Sequence, residues 1–238
     1  MPVRQHIRLT LLIFTATAAL LGLAFSTLHL LKDRGPQTAV NTGAADRFAP
    51  PGTVPIGGPF TLVDHEGRTV TDEDFAGKYL LVFFGFTNCP DVCPTTLGDI
   101  AVALDMLGAD DKTVWPLFIS IDPERDTPDQ MAEYVAAFDP RIIGLTGSAE
   151  QIATVAEAYR IFYEKTSVDA YFERDPTQRN RTEPKGSEYL VSHQGQTYLM
   201  SPDNDYLTHF SFGTSADEMV STIRLALSTL GRPDGERE

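Results

Sequence analysis

The sequence predicts an α/β domain, a mixed sheet with helices on both faces, preceded by one N-terminal transmembrane helix. Three observations carry this. Tyr79–Phe86 (YLLVFFGF) and Trp115–Ile121 (WPLFISI) are continuous apolar runs, the pattern of central strands buried on both faces. Stretches of helical apolar spacing alternate with such strands, as in a layered α/β fold. Finally, Leu9–Leu31 contains no formally charged residue. As a helix it would be about 34 Å long, enough to cross a hydrocarbon core.

Arg4 and Arg8 precede the apolar run, and Lys32 and Arg34 follow it. The charge bias is therefore nearly balanced, and the N-terminal amine tips it toward an inside N-terminus. A cleaved signal peptide is the competing reading, because Ala24-Phe25-Ser26 offers small residues at a suitable spacing. The run continues to Leu31 beyond that point, which fits an uncleaved anchor better. Either way the remainder is expected to be exported. The expected organisation is a short segment 1–8, an anchor 9–31, a flexible linker 32–54 and one domain 55–232. The stretch 33–58 is rich in Gly, Pro, Ala and Thr without apolar period, the composition of a tether.

Within the domain, Phe60–Val63 and Arg68–Val70 flank Asp64-His65-Glu66-Gly67 and read as a hairpin. The apolar run Tyr79–Phe86 comes next, then Leu97, Ile100, Leu104 and Leu107 at helical spacing. Thr127-Pro128 supplies a cap and an N1 proline for a helix lined by Met131, Tyr134, Val135 and Phe138. A short strand at Ile142–Leu145 precedes Ser148, which caps a helix through Ile152, Val155, Ala156 and Tyr159. Residues 166–188 are polar, hold two prolines and show no period, so they read as an excursion. The sequon Asn180-Arg181-Thr182 within them is a short match of little weight. Tyr189–Val191, Thr197–Ser201 and Leu207–Phe212 read as strands, and Ala216–Leu230 as the last amphipathic helix.

Charge and cysteine content exclude several functions. The formal net charge is −14. Four bases (Arg4, Arg8, Lys32, Arg34) against one acid (Asp33) precede Gly35, so the rest is more acidic still. Such a domain has no electrostatic footprint for nucleic acid and is repelled by anionic membrane surfaces. Two cysteines, Cys89 and Cys93, are too few for a disulfide scaffold or a four-cysteine zinc module.

That pair follows the strongest buried strand and opens a helix. Reactive groups of open α/β sheets gather at such carboxyl ends, and free N–H groups at a helix start stabilise thiolates. Four residues of helix put two Cα atoms roughly 6 Å apart on one face. The spacing suits two ligands of one metal, and it also falls within the range open to a disulfide. Metal pair and redox couple both remain open at this point. A purely stabilising disulfide would close so small a ring that its entropic gain is slight.

The runs GFTNCPDVCPTTL (Gly85–Leu97), FISIDPERDTP (Phe118–Pro128), GLTG (Gly144–Gly147) and YLVSHQGQTYLMSPD (Tyr189–Asp203) resemble the Sco/SenC family. The resemblance spans roughly residues 55–230. It implies a thioredoxin-like fold and a membrane-anchored copper chaperone that helps assemble the copper A centre of cytochrome c oxidase. It further implies one copper, Cu(I) or Cu(II), held by Cys89, Cys93 and His193. Thiolates with imidazole are a donor set that copper accepts, whereas zinc would want a fourth ligand. One departure is Ser192, where the family carries an aspartate before the histidine. Asp122, in the Ile-Asp-Pro motif, resembles an acidic residue near the family's site, and its alternative reading is a helix-entry turn.

The remaining histidines carry no function in this reading: His6 and His29 belong to the anchor, His65 to a solvated turn, His209 to a late strand. The five methionines are scattered, so there is no Met-rich copper motif. The alternative function is a thiol–disulfide oxidoreductase that reduces the cysteines of the oxidase subunit before metallation, with Cys89 and Cys93 as its redox-active pair. A thiol peroxidase of the same fold class is a weaker third. Against the oxidoreductase stand the Cys-x3-Cys spacing, the lack of proline in Tyr189–Gln196, and the presence of His193. The expected partner is the copper-binding subunit of cytochrome c oxidase, with other copper chaperones or thiol reductases possible. The expected location is a bacterial inner membrane, single-pass, with the soluble domain in the periplasm.

Overall fold

In the computed structural model the described residues are 48–50, 52–174 and 189–231. The expected anchor 9–31, most of the linker, the sequon, His6 and His29 lie outside them. No helix among the described residues is long and apolar enough to cross a membrane.

In chain order the strands are β1 (Thr61–Asp64), β2 (Thr69–Thr71), β3 (Tyr79–Gly85), β4 (Val114–Ser120), β5 (Ile143–Thr146), β6 (Tyr163–Ser167), β7 (Tyr189–His193), β8 (Thr197–Met200) and β9 (Tyr206–Phe210). The α-helices are α1 (Val92–Leu107), α2 (Pro128–Ala136), α3 (Ala149–Ala158), α4 (Val168–Arg174) and α5 (Ala216–Leu230). Seven strands form one sheet in the order β2-β1-β5-β4-β3-β8-β9. β3 pairs parallel to β4 and antiparallel to β8, and β4 pairs parallel to β5. All seven residues of β3 are buried, which explains their unbroken apolar sequence. Neighbouring residues of a strand point to opposite faces, so Phe83 and Phe84 report on two layers. Phe83 stacks on Phe118 at 5.9 Å, and Phe118 meets Tyr134 of α2 at 5.6 Å. Phe84 meets Tyr159, at the end of α3, at 5.3 Å. Helices therefore cover both faces, and α1 packs against α5.

The helix caps follow local chemistry. Thr127 Oγ1 accepts the Gln130 N–H. Ser148 and Gln151 form a reciprocal capping box, satisfying donors that a helix start leaves free.

Four local readings change. β6 and β7 pair antiparallel as a separate two-stranded sheet. Residues 166–174, expected as an aperiodic excursion, instead finish β6 and form α4; 175–188 lie outside the described residues. Residues at the end of the linker dock on the domain, where Phe48 is buried and the Ala49 N–H donates to Leu207 O on the β9 edge. His65 is held rather than solvated: its Nδ1 accepts the Gly144 N–H at 3.0 Å, and its N–H donates to Gly144 O.

Candidate metal centre

β3 ends beside β4, and the chain turns at once. The Cys89 N–H donates to Phe86 O at 3.2 Å, closing a turn that leaves Cys89 half-buried ahead of α1. Cys93 is the second residue of α1 and is buried. The two cysteines are therefore not both helical. The side chain of Asp91, at the N-cap, makes no capping bond. Instead the Cys93 N–H points at Cys89 Sγ, 3.4 Å away, so the sulfur takes the place of a cap acceptor.

The third donor arrives from the other sheet. His193 ends β7, and its Nε2 lies 3.6 Å from Cys93 Sγ. Its Nδ1 stands 2.8 Å from Gln194 O. A carbonyl only accepts, so the ring proton sits on Nδ1 and the Nε2 lone pair faces the thiols, the arrangement that orients metal-binding histidines. The ring is wedged edge-on against Phe86 at 5.7 Å and tilted against Phe83 at 6.3 Å. One donor atom each from Cys89, Cys93 and His193 lies within 4.8 Å of the others. Two thiolates and an imidazole at this separation fit a soft metal ion. Ser192 is exposed and alternates to the far face of β7, opposite Glu164. The Gln194 carbonyl, not the residue at 192, is what holds the ring.

The two thiols are electrostatically unequal. The hydrogen bond from the Cys93 thiol pulls Cys89 down to about 4 against the opposing effect of burial, helped by the Asp91 and Cys93 N–H groups. That same bond, burial and the neighbouring charge push Cys93 up. Cys89 is the thiolate of the pair and Cys93 keeps its proton.

Asp122 is not among the three converging donors. Its carboxylate, fully buried, accepts from Tyr189 Oη at 2.7 Å, pairs with Lys165 Nζ at 2.9 Å and bonds Arg125 Nε. Burial opposes its ionisation, but these three partners outweigh it and hold the carboxyl below its ordinary value. Asp126, four residues on, is also fully buried. It accepts from Ser120 Oγ and Thr87 Oγ1 at 2.6 Å each and from the Thr87 N–H at 3.1 Å. Burial pushes its carboxyl up despite those bonds. Thr87, Asp126, Tyr189, Lys165 and Arg125 do not stand out as site residues in the sequence. One signal was present: Tyr189 stands four residues before His193 in a strand and so shares its face.

The fold and its site define a thioredoxin-like domain carrying a Cys-x3-Cys pair and a histidine able to hold a metal. Residues 49–228 match the SCO1/SenC family model, and the chain belongs to that family. It is 38% identical over 226 residues to the mitochondrial SCO2 homolog of Bos taurus, covering 94% of this chain and 77% of that one. It is 38% identical over 169 residues to protein sco1 of Schizosaccharomyces pombe, covering 71% and 59%. The matched stretch thus spans between about half and three quarters of such relatives' own length. The structure of Bradyrhizobium japonicum ScoI with copper bound is similar at a TM-score of 0.61 and 38% identity, over 71% of this chain and 98% of that one.

Proposed function

We propose that this chain is a membrane-anchored copper chaperone that delivers copper to the copper A centre of cytochrome c oxidase. The observation that carries the reading is the convergence of Cys89, Cys93 and His193 Nε2 within 4.8 Å, in a chain similar to a protein whose structure has copper bound. Cys89 and Cys93 supply thiolates and His193 an imidazole, a donor set suited to one Cu(I) or Cu(II). Cys89 is the more accessible thiol of the pair, so an incoming thiol of the oxidase subunit exchanges there before it reaches Cys93. The charge-free run Leu9–Leu31 supports a single-pass anchor in a bacterial inner membrane with the domain in the periplasm.

The test is a Cu(I) titration of the reduced full-length chain against a competing chelator. The native protein binds one copper, and Cys89→Ser and His193→Ala each lose tenfold or more, about 1.4 kcal/mol. Native binding no tighter than that of the variants would remove copper delivery as the main role.

A second reading rests on the inequality of the thiols. A low-pKa, accessible Cys89 beside a buried, protonated Cys93 suits thiol–disulfide exchange. Cys89 thiolate would attack a partner disulfide, and Cys93 would then displace the partner's thiolate. Two thiols here become a disulfide, and the partner receives both electrons. The two roles are compatible, since oxidising the pair removes two metal ligands.

A further inference from the structure

We propose that Asp122, Tyr189 and Lys165 form a latch that positions His193 against the cysteine pair. The inference rests on the reading of Cys89, Cys93 and His193 as copper ligands.

The cysteines follow the end of β3 in the main sheet and the histidine ends β7 in the smaller one, so something must fix one sheet against the other. On the cysteine side the fixing is internal. Asp126 grips Thr87 through both its hydroxyl and its N–H, two residues before Cys89, in a fully buried bonding cluster. On the histidine side, residues i, i+2 and i+4 of a strand share a face, so Tyr189, Val191 and His193 all face the domain. Tyr163 and Lys165 of β6 join them, being directly opposite His193 and Val191. Val191 and Tyr163 pack on the core, but apolar packing is not directional and leaves the hairpin's position along the core underdetermined.

The latch removes that freedom. Asp122 sits just past the carboxyl end of β4 and takes one bond from each strand of the hairpin, from Tyr189 on β7 and Lys165 on β6. Arg125 also bonds Asp122 and lies 4.1 Å from the centroid of the Tyr189 ring, while Lys165 Nζ lies 4.9 Å from it. The tyrosine is thus held at its hydroxyl and at its ring. Tyr189 is about 13 Å along the strand from His193, so a small displacement at the latch moves the imidazole relative to Cys93. The five-residue stretch Asp122–Asp126 therefore works as a jig: Asp126 sets the cysteine loop and Asp122 the histidine hairpin.

The test compares the full-length native chain with Tyr189→Phe, His193→Ala and the double variant. In reduced protein, Cu(I) competition for Tyr189→Phe falls about tenfold, as for other groups that orient a ligand. The double variant binds as His193→Ala does, because the latch acts through the histidine. Native-like binding by Tyr189→Phe overturns the proposal. So does a double variant that loses the product of the two single losses, the mark of independent effects.

Amide hydrogen exchange on the metal-free protein separates this from the copper reading. Tyr189→Phe speeds exchange in β6 and β7 and leaves β3 and β4 unchanged. Unchanged hairpin protection, or a uniform acceleration that includes β3 and β4, overturns the latch whether or not copper binds. If copper binds native protein and His193→Ala equally, the copper reading fails alone, and exchange still decides the latch. Lys165→Met, which keeps the tyrosine, shows the same hairpin-confined change should Tyr189→Phe not fold.

Discussion

A Cβ built on Gly85 would stand 2.7 Å from Cys93 Sγ and equally close to the Phe118 ring. The last residue of β3 is a glycine because the buried thiol occupies the space a methyl would need. Gly85→Ala must therefore push Cys93, or Phe118 and the aromatic stack behind it. Overpacking of this kind costs about 1–3 kcal/mol, readable as a lower denaturant midpoint. The thiol is also a proposed ligand, so copper affinity should fall further than the loss of stability explains.

The inequality of Cys89 and Cys93 is open to alkylation. In reduced, metal-free protein a limiting amount of iodoacetamide should modify Cys89 first, with the site read by peptide mass spectrometry. With its pKa pulled down to about 4, Cys89 stays a thiolate across neutral pH. Its modification rate should be flat between about pH 6 and 8, where an ordinary thiol rises steeply. Cys93→Ala removes the thiol hydrogen bond that lowers Cys89 most and should restore part of the slope.

Asp64 supplies an acid-sensitive contribution to stability. It is buried and accepts the Glu66 and Arg68 N–H groups at 2.9 Å each and Arg68 Nε at 2.8 Å. Burial opposes its charge, yet these bonds hold its pKa below the ordinary value. A carboxyl depressed in the folded state stabilises above its unfolded pKa of about 3.9, and the contribution disappears as pH falls through the folded value. Asp64→Asn should accordingly be less stable than native at pH 7. The gap between their urea midpoints should close below about pH 4.

Ser148 tests the helix start that presents α3 to the sheet. Its hydroxyl accepts the Gln151 N–H at 3.2 Å, and Gln151 Oε1 accepts the Ser148 N–H at 2.8 Å. Ser148→Ala should cost about 1 kcal/mol, measured by chemical denaturation. Copper binding should be untouched, because α3 lies across the sheet from the cysteines.

The residues that were legible in the sequence are those whose structure is decided nearby. Ser148 and Thr127 announce caps, Tyr79–Gly85 announces a strand buried on both faces, and Ala216–Leu230 shows its period without help. Cys89, Cys93 and His193 were legible through their surrounding motifs rather than through spacing, since Cys89 is not helical. β6 was hidden because Tyr163-Glu164-Lys165-Thr166-Ser167 has too little apolar alternation to signal a strand. Its pairing with β7 is a tertiary outcome. Asp122 was placed near the site, but its partners lie on another sheet, and no local pattern reports a bond from Tyr189.

Cys93 and His193 are separated by 100 positions in the chain, whereas Cys89 and Cys93 are separated by 4. A soft metal ion can therefore be chelated by the two thiolates even in an unfolded chain. Engaging the imidazole requires closing a long loop, whose entropic cost is met only when the sheets assemble. Folding adds one ligand to a pair that needs no fold. Because the unfolded state also binds, the rise in melting temperature on loading is smaller than the native affinity alone would give. That rise measures chiefly the histidine's share of the grip.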